Sequence, residues 1–186
     1  MDATELIEKD HDRVEELFRR FRGGGGITGM MRRVAGTVTP RERRTALARI
    51  RGELAMHTRL EEEIFYPTAR RTGDAEITRL LDESLKEHRR VKELLGKIGA
   101  DTEELDAQLD ALEQCFQHHV SEEENEMLPR VRMLIDERRR AELGRRMQAR
   151  KRALRPRTTR PAARRAQRTR GRRATAGGRR RRRRAS

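Results

Sequence analysis

Apolar residues recur along this chain at alternating steps of three and four, the spacing of one face of an α-helix. In the first stretch, roughly residues 3–22, Ile7, His11, Val14, Phe18 and Phe21 fall in one stripe, which stops at the run Gly23 to Gly26. A second helix is predicted over about 41–71, after Pro40, with Leu47, Ile50, Leu54, His57, Glu61 and Ile64 on one face. After Gly73-Asp74 a third, about 74–99, lines up Ile77, Leu81, Ser84, His88, Val91, Leu95 and Ile98. Gly99 and the capping candidates Asp101 and Thr102 separate it from a fourth stripe, Leu105, Leu109, Leu112, Phe116, His119 and Glu123, which runs on to Met127 and Pro129. A further helix is expected over about 134–153, with Pro129 kinking or restarting the chain. No segment alternates apolar and polar residues, so strands are not expected. Four amphipathic helices with one apolar stripe each are most simply buried as an all-α, antiparallel up-and-down four-helix bundle with a C-terminal helical extension.

Composition changes this picture at one place. Of the 186 residues 41% are charged and only 3% aromatic, so Leu, Ile, Val and Met must build the core. The net charge of +15 is confined to one end: the 15 Arg of residues 154–186 face no acid, whereas residues 1–153 are neutral. Two regions follow, a helical body over 1–153 and an Arg-rich tail over 154–186 that is expected to be disordered. Cys115 is the single cysteine, which excludes an intramolecular disulfide. The acidic first residues lack the pattern of a secretory signal, and no stretch of eighteen apolar residues occurs. A cytoplasmic protein without a membrane span is expected.

Candidate chemistry lies where polar residues interrupt the apolar stripes. Each predicted helix of the bundle places one His in its own stripe: His11, His57, His88 and His119. His57 and His119 are each followed four residues later by a Glu, Glu61 and Glu123, and ten residues later by a Pro, Pro67 and Pro129. The segments HTRLEEEIFYP and HVSEEENEMLP therefore read as an internal repeat. Residues four apart share a helix face, so each His–Glu pair projects to one place. Four imidazoles and two carboxylates inside a core need a compensating charge. A dinuclear divalent or trivalent metal centre supplies it, and the N/O donor set alone admits iron, zinc or manganese. Glu63 and Glu124 are expected on solvated faces, and Glu62 and Glu122, which flank the stripe, are candidates for supporting the ligands through hydrogen bonds. His118 is expected off the stripe, Tyr66 to pack at the bundle edge, and Cys115 to be a core-edge thiol. No nucleophile triad or phosphate-binding loop stands out, so no catalytic residue is assigned.

These residues resemble the hemerythrin-like family, the HHE cation-binding domain. The resemblance spans nearly all of 1–153, through DHDRVEELF, the two repeated segments, EHRRV at 87–91 and ELGRRMQARKRAL. It implies a carboxylate-bridged, non-haem diiron site with His11, His57, His88 and His119 as ligands and Glu61 and Glu123 as bridges. Oxygen-carrying members use a further His one turn after the third-helix ligand. Lys92 stands there in this chain, and Ser84 one turn before His88. The resemblance therefore implies binding, sensing or reduction of a small molecule such as oxygen, peroxide or nitric oxide, rather than oxygen carriage. An alternative function of a different class is nonspecific binding of DNA or RNA by the tail, with the bundle as scaffold. Counterion release at so dense an Arg run gives steep salt dependence, and the tail has no aromatic residue for base stacking. Removing residues 154–186 should then abolish binding to bulk DNA at low salt in a mobility-shift assay; unchanged binding would contradict the tail's role.

Overall fold

In the computed structural model, residues 1–22, 39–99 and 104–155 are described. The predicted Gly- and Thr-rich loop, the Asp101/Thr102 cap and the Arg-rich tail lie outside the described residues. Within them the chain is all-helical, with no strand. The first helix, α1, spans Ala3–Phe21. Helix α2, Pro40–Leu60, passes through a five-residue π turn, Glu61–Phe65, into α3, Tyr66–Arg70. Helix α4 spans Ala75–Lys97 and α5 Leu105–Glu122. A second π turn, Glu123–Met127, leads into α6, Leu128–Leu134, and α7 spans Glu137–Leu154.

Local chemistry sets these boundaries. Asp2 starts α1 by accepting the backbone N–H groups of Thr4 at 2.8 Å and Glu5 at 3.1 Å, while Glu5 accepts the N–H of Asp2. Thr39 and Glu42 form the same reciprocal box before α2. Both devices satisfy N–H groups that a helix start leaves without partners. Asp74 caps α4 through the Ile77 N–H and holds the Arg130 guanidinium with two contacts of 2.7 Å. This fork fastens α6 to the start of α4 and holds the Asp74 carboxyl down to about 2, with the Ile77 N–H adding to the effect. Gly73, at φ 73°, makes the turn before it.

The two π turns answer the two prolines. Pro67 and Pro129 each lack an N–H and clash with the carbonyl four residues back. One extra residue is accommodated ahead of each: Tyr66 N–H donates to the Glu61 carbonyl and Leu128 N–H to the Glu123 carbonyl, both across five residues. The helix therefore continues through Pro129 to Leu134 instead of breaking there. The restart expected at Pro129 takes the form of the π turn and a new α segment from Leu128, and the chain breaks later, at Ile135–Asp136, where Ile135 turns to an extended backbone.

Two apolar clusters make up the core. One gathers Ile7, Leu60, Phe65, Ile77, Leu81, Leu128 and Val131. The other gathers Val14, Phe18, Leu47, Ile50, Leu54, Val91, Leu112 and Phe116. In sequence three of the stripe histidines fall between members of the two clusters: His11 between Ile7 and Val14, His57 between Leu54 and Leu60, His88 between Leu81 and Val91. The polar layer thus has apolar packing on both sides.

Helix α7 packs on α1, α2 and the first π turn. Arg140 reaches Asp2 at 3.0 Å, Arg150 reaches Glu63 at 2.7 Å, and Lys151 pairs with the buried Asp10. The closest approach is at Gly144, where an added Cβ would sit 2.8 Å from the carbonyl carbon of Asp2. Gly52 and Gly96, also helical, would meet nothing within 4 Å. Gly→Ala in an open helix position stabilises by roughly 0.5–1 kcal/mol. Gly52→Ala and Gly96→Ala should therefore raise the thermal midpoint, while Gly144→Ala should lower it by an overpacking cost of about 1–3 kcal/mol. A midpoint for Gly144→Ala at or above wild type would show that α7 does not sit this close to α1.

Candidate metal centre

Helices α1, α2, α4 and α5 each bring one stripe histidine into the core, and all four are 1–2% exposed. Glu61 and Glu123, at the first positions of the π turns, are wholly buried. His57 Nε2 and His88 Nε2 both stand 3.2 Å from Glu61 Oε2. His11 Nε2 stands 3.3 Å and His119 Nε2 3.7 Å from Glu123 Oε2. His119 Nε2 lies 3.4 Å from the Nε2 atoms of His57 and His88. All six predicted residues meet in one place. One donor atom each of His11, His57, Glu61, His119 and Glu123 falls within 4.8 Å of the others.

The outward-facing nitrogens explain why the Nε2 atoms face inward. His11 Nδ1 donates to Glu124 at 2.8 Å, His88 Nδ1 to Glu62 at 2.9 Å, and His119 Nδ1 to Glu87 at 3.0 Å. A carboxylate only accepts, so these contacts put the ring proton on Nδ1 and leave a lone pair on Nε2. Glu62 is held ionised at about 2 by His88 first and Lys92 next, against its partial burial. The Nε2 atoms thus point at carboxylate oxygens, at one another and, for His88, at the Tyr66 hydroxyl 3.3 Å away. His11 Nε2, Glu61 Oε1 and Glu123 Oε2 are buried without a hydrogen-bond partner.

The electrostatics show the same demand for positive charge. Burial, with the positive field of His11, His119 and His88, keeps His57 well below its usual range. Burial also lowers His88, against the opposing pull of Glu62. Burial and the neighbouring Glu123 push Glu61 well above the usual carboxylate range. For Glu123 burial acts upward, but His119, His11 and the Tyr66 hydroxyl hold it at about 2. Burial would lower His11 too, yet Glu123 and Glu124 outweigh it and raise it to about 9.

Several neighbours depart from expectation. Glu124, expected on a solvated face, is the outward partner of His11. Its repeat counterpart is Glu62, since each directly follows its buried Glu, so the register of the repeat carried the signal. Glu87 was not singled out in the sequence. Glu63 lies outward as expected, between Arg59 and Arg150. Tyr66 is buried rather than at the bundle edge, and it donates its hydroxyl to Glu123 Oε1 at 2.7 Å. Its ring stacks on His88 with centroids 5.4 Å apart. In an α-helix a residue five after Glu61 faces roughly 140° away. The π turn, closing across five residues, returns it to the Glu61 face. On the other side Phe116 sets its ring edge-on to His11 and His57, at 5.9 and 6.0 Å. Lys92, where oxygen carriers have their further His, turns outward to Glu62 at 2.6 Å. Ser84 bonds the Leu80 carbonyl of its own helix. Neither adds a donor to the six.

Nitrogen and oxygen donors 3.2–3.7 Å apart span the edges of a coordination shell whose bonds are about 2.0–2.2 Å long. The cluster fits a metal site. Comparison with known proteins agrees. The family described as Hemerythrin HHE cation binding domain matches residues 2–131. A crystal structure of a hemerythrin HHE cation binding domain-containing protein from Mycobacterium kansasii superposes with a TM-score of 0.66, at 22% identity. The match covers 82% of this chain and 86% of that one, and it supports the fold. No curated protein gives a significant match. Among the described residues, no helix is long and apolar enough to cross a membrane.

Proposed function

Because this chain belongs to the hemerythrin HHE cation-binding family, we propose that it is a non-haem diiron protein that binds, senses or reduces a small molecule such as oxygen, peroxide or nitric oxide. The single observation that carries the proposal is the set of inward Nε2 lone pairs, fixed from outside by Glu124, Glu62 and Glu87 and facing two buried carboxylates. In this reading the helices form an antiparallel up-and-down bundle. His11, His57, His88 and His119, together with Glu61 and Glu123, would hold the metals. Iron so held supplies redox chemistry and positions at which a small ligand can bind. The absence of a further His leaves more of those positions free than in oxygen carriers.

The chain's own residues prepare the site for that work. Metal-ligating imidazoles need their other nitrogen fixed by an acceptor, and three of the four have a carboxylate there. Phe116 and Tyr66 exclude water from the two sides on which they pack. The Tyr66 hydroxyl is a proton donor 2.7 Å from Glu123 and 3.3 Å from His88 Nε2, so it can orient the carboxylate. Burial and the two neighbouring carboxylates hold its pKa well above the ordinary phenol range, so it stays protonated.

Two outcomes are expected. Protein grown with ample iron should carry about two iron atoms per chain by metal analysis, with a ligand-to-iron charge-transfer absorption. Glu61→Ala combined with Glu123→Ala should lose both, and wild-type protein without metal would refute the proposal. Glu124→Ala should weaken iron retention against a chelator by roughly 10–100-fold, the usual effect of removing a hydrogen-bond partner of a ligating His. Glu126→Ala, which removes only an exposed contact to Arg79, should match wild type. Equal retention by Glu124→Ala and wild type would show that His11 is not held for a metal.

A further inference from the structure

A second group of donor atoms converges outside the buried cluster. His118 is 67% exposed, and its Nε2 lies 3.3 Å from Glu87 Oε1 and 3.5 Å from Glu122 Oε1. One donor atom from each of these three residues lies within 4.8 Å of the other two. His118 and Glu122 are four apart on α5 and share a face. Glu87 comes across from α4, which packs against α5.

Glu87 separates this group from an ordinary surface ion pair. Its side chain is only 9% exposed, and its two oxygens have different surroundings. Oε2 accepts the Nδ1 proton of His119, whereas Oε1 is buried with no hydrogen-bond partner. That bare oxygen faces the His118 ring. A buried acceptor without a partner is costly and calls for a compensating group. Separations of 3.3 and 3.5 Å match donors about 2.0–2.2 Å from a common ion.

We propose that Glu87, His118 and Glu122 form a separate site at the bundle surface for a single divalent transition-metal ion. One imidazole with two carboxylates suits ions such as Zn2+, Co2+ or Fe2+, whereas Mg2+ and Ca2+ favour all-oxygen shells. Three protein donors at an exposed position leave the rest of the shell to water. Glu87 joins the two sites, with one oxygen on His119 and the other on the outer ion. Its repeat counterpart cannot play this part: Asp10, which precedes His11 as Glu87 precedes His88, is taken up by Lys151. Met56, which precedes His57 as His118 precedes His119, offers no imidazole.

The test is titration of the full-length protein, after iron loading, with Co2+ followed by visible absorption and with Zn2+ followed by calorimetry. At about pH 8, where imidazoles are ordinarily neutral, wild type should take up one equivalent that His118→Ala and Glu122→Gln each lose. Iron content should be unchanged in both variants, since neither side chain enters the buried cluster. The same difference of one equivalent is expected for protein that carries no iron, so failure of the diiron reading is distinguishable from failure of this site. Equal uptake by wild type and both variants would overturn the proposal and leave His118 a surface ion-pairing residue.

Discussion

A histidine ring whose Nδ1 proton is committed to a carboxylate presents its other nitrogen as a bare lone pair, and much of this structure is arranged around three such commitments. Glu124, Glu62 and Glu87 sit outside the cluster and fix His11, His88 and His119 from behind. The lone pairs then meet one another and two buried carboxylates at 3.2–3.7 Å. Such a set is repulsive by itself, because acceptors face acceptors in a medium that screens poorly. The opposite shifts of the acids and bases within it are the chain's own answer to that repulsion. Positive charge at the centre removes it.

The fold supports this constraint by near-duplication. His57 with Glu61 and Pro67 is matched by His119 with Glu123 and Pro129, and each Pro enforces a π turn that begins at the buried Glu. The duplication is broken where the chemistry becomes asymmetric. Tyr66 has Leu128 as its counterpart, so a single hydroxyl enters the cluster, and it bonds the Glu of the other repeat. Asp10 is paired with Lys151 of α7, while its counterpart Glu87 serves His119. Helix α7 lies beyond the residues matched by the family and still reaches the residue next to His11.

Much of this was legible in the sequence. The first three stripes gave their helices within a residue or two, and the polar residues on all four marked all six members of the cluster. What escaped was what helical periodicity does not carry. Tyr66 reads as off-face until a π turn rotates it inward. Glu124 reads as solvated because its Cβ lies off the apolar stripe, although a long side chain reaches the far edge of an imidazole. Glu87 lies beside His88 in sequence but serves a ring on another helix, a contact that only tertiary packing creates. The change expected at Pro129 takes the form of a π turn, and the chain breaks only at Ile135.

The central claim is that the Nε2 atoms of four histidines and the carboxylates of Glu61 and Glu123 enclose a pair of iron ions. Anomalous diffraction from crystals of the protein, collected on both sides of the iron absorption edge, tests it most directly. Two iron peaks among those Nε2 atoms, with Glu61 and Glu123 between them, are expected. An empty cluster in crystals whose protein contains iron, or iron found only elsewhere on the chain, would contradict it.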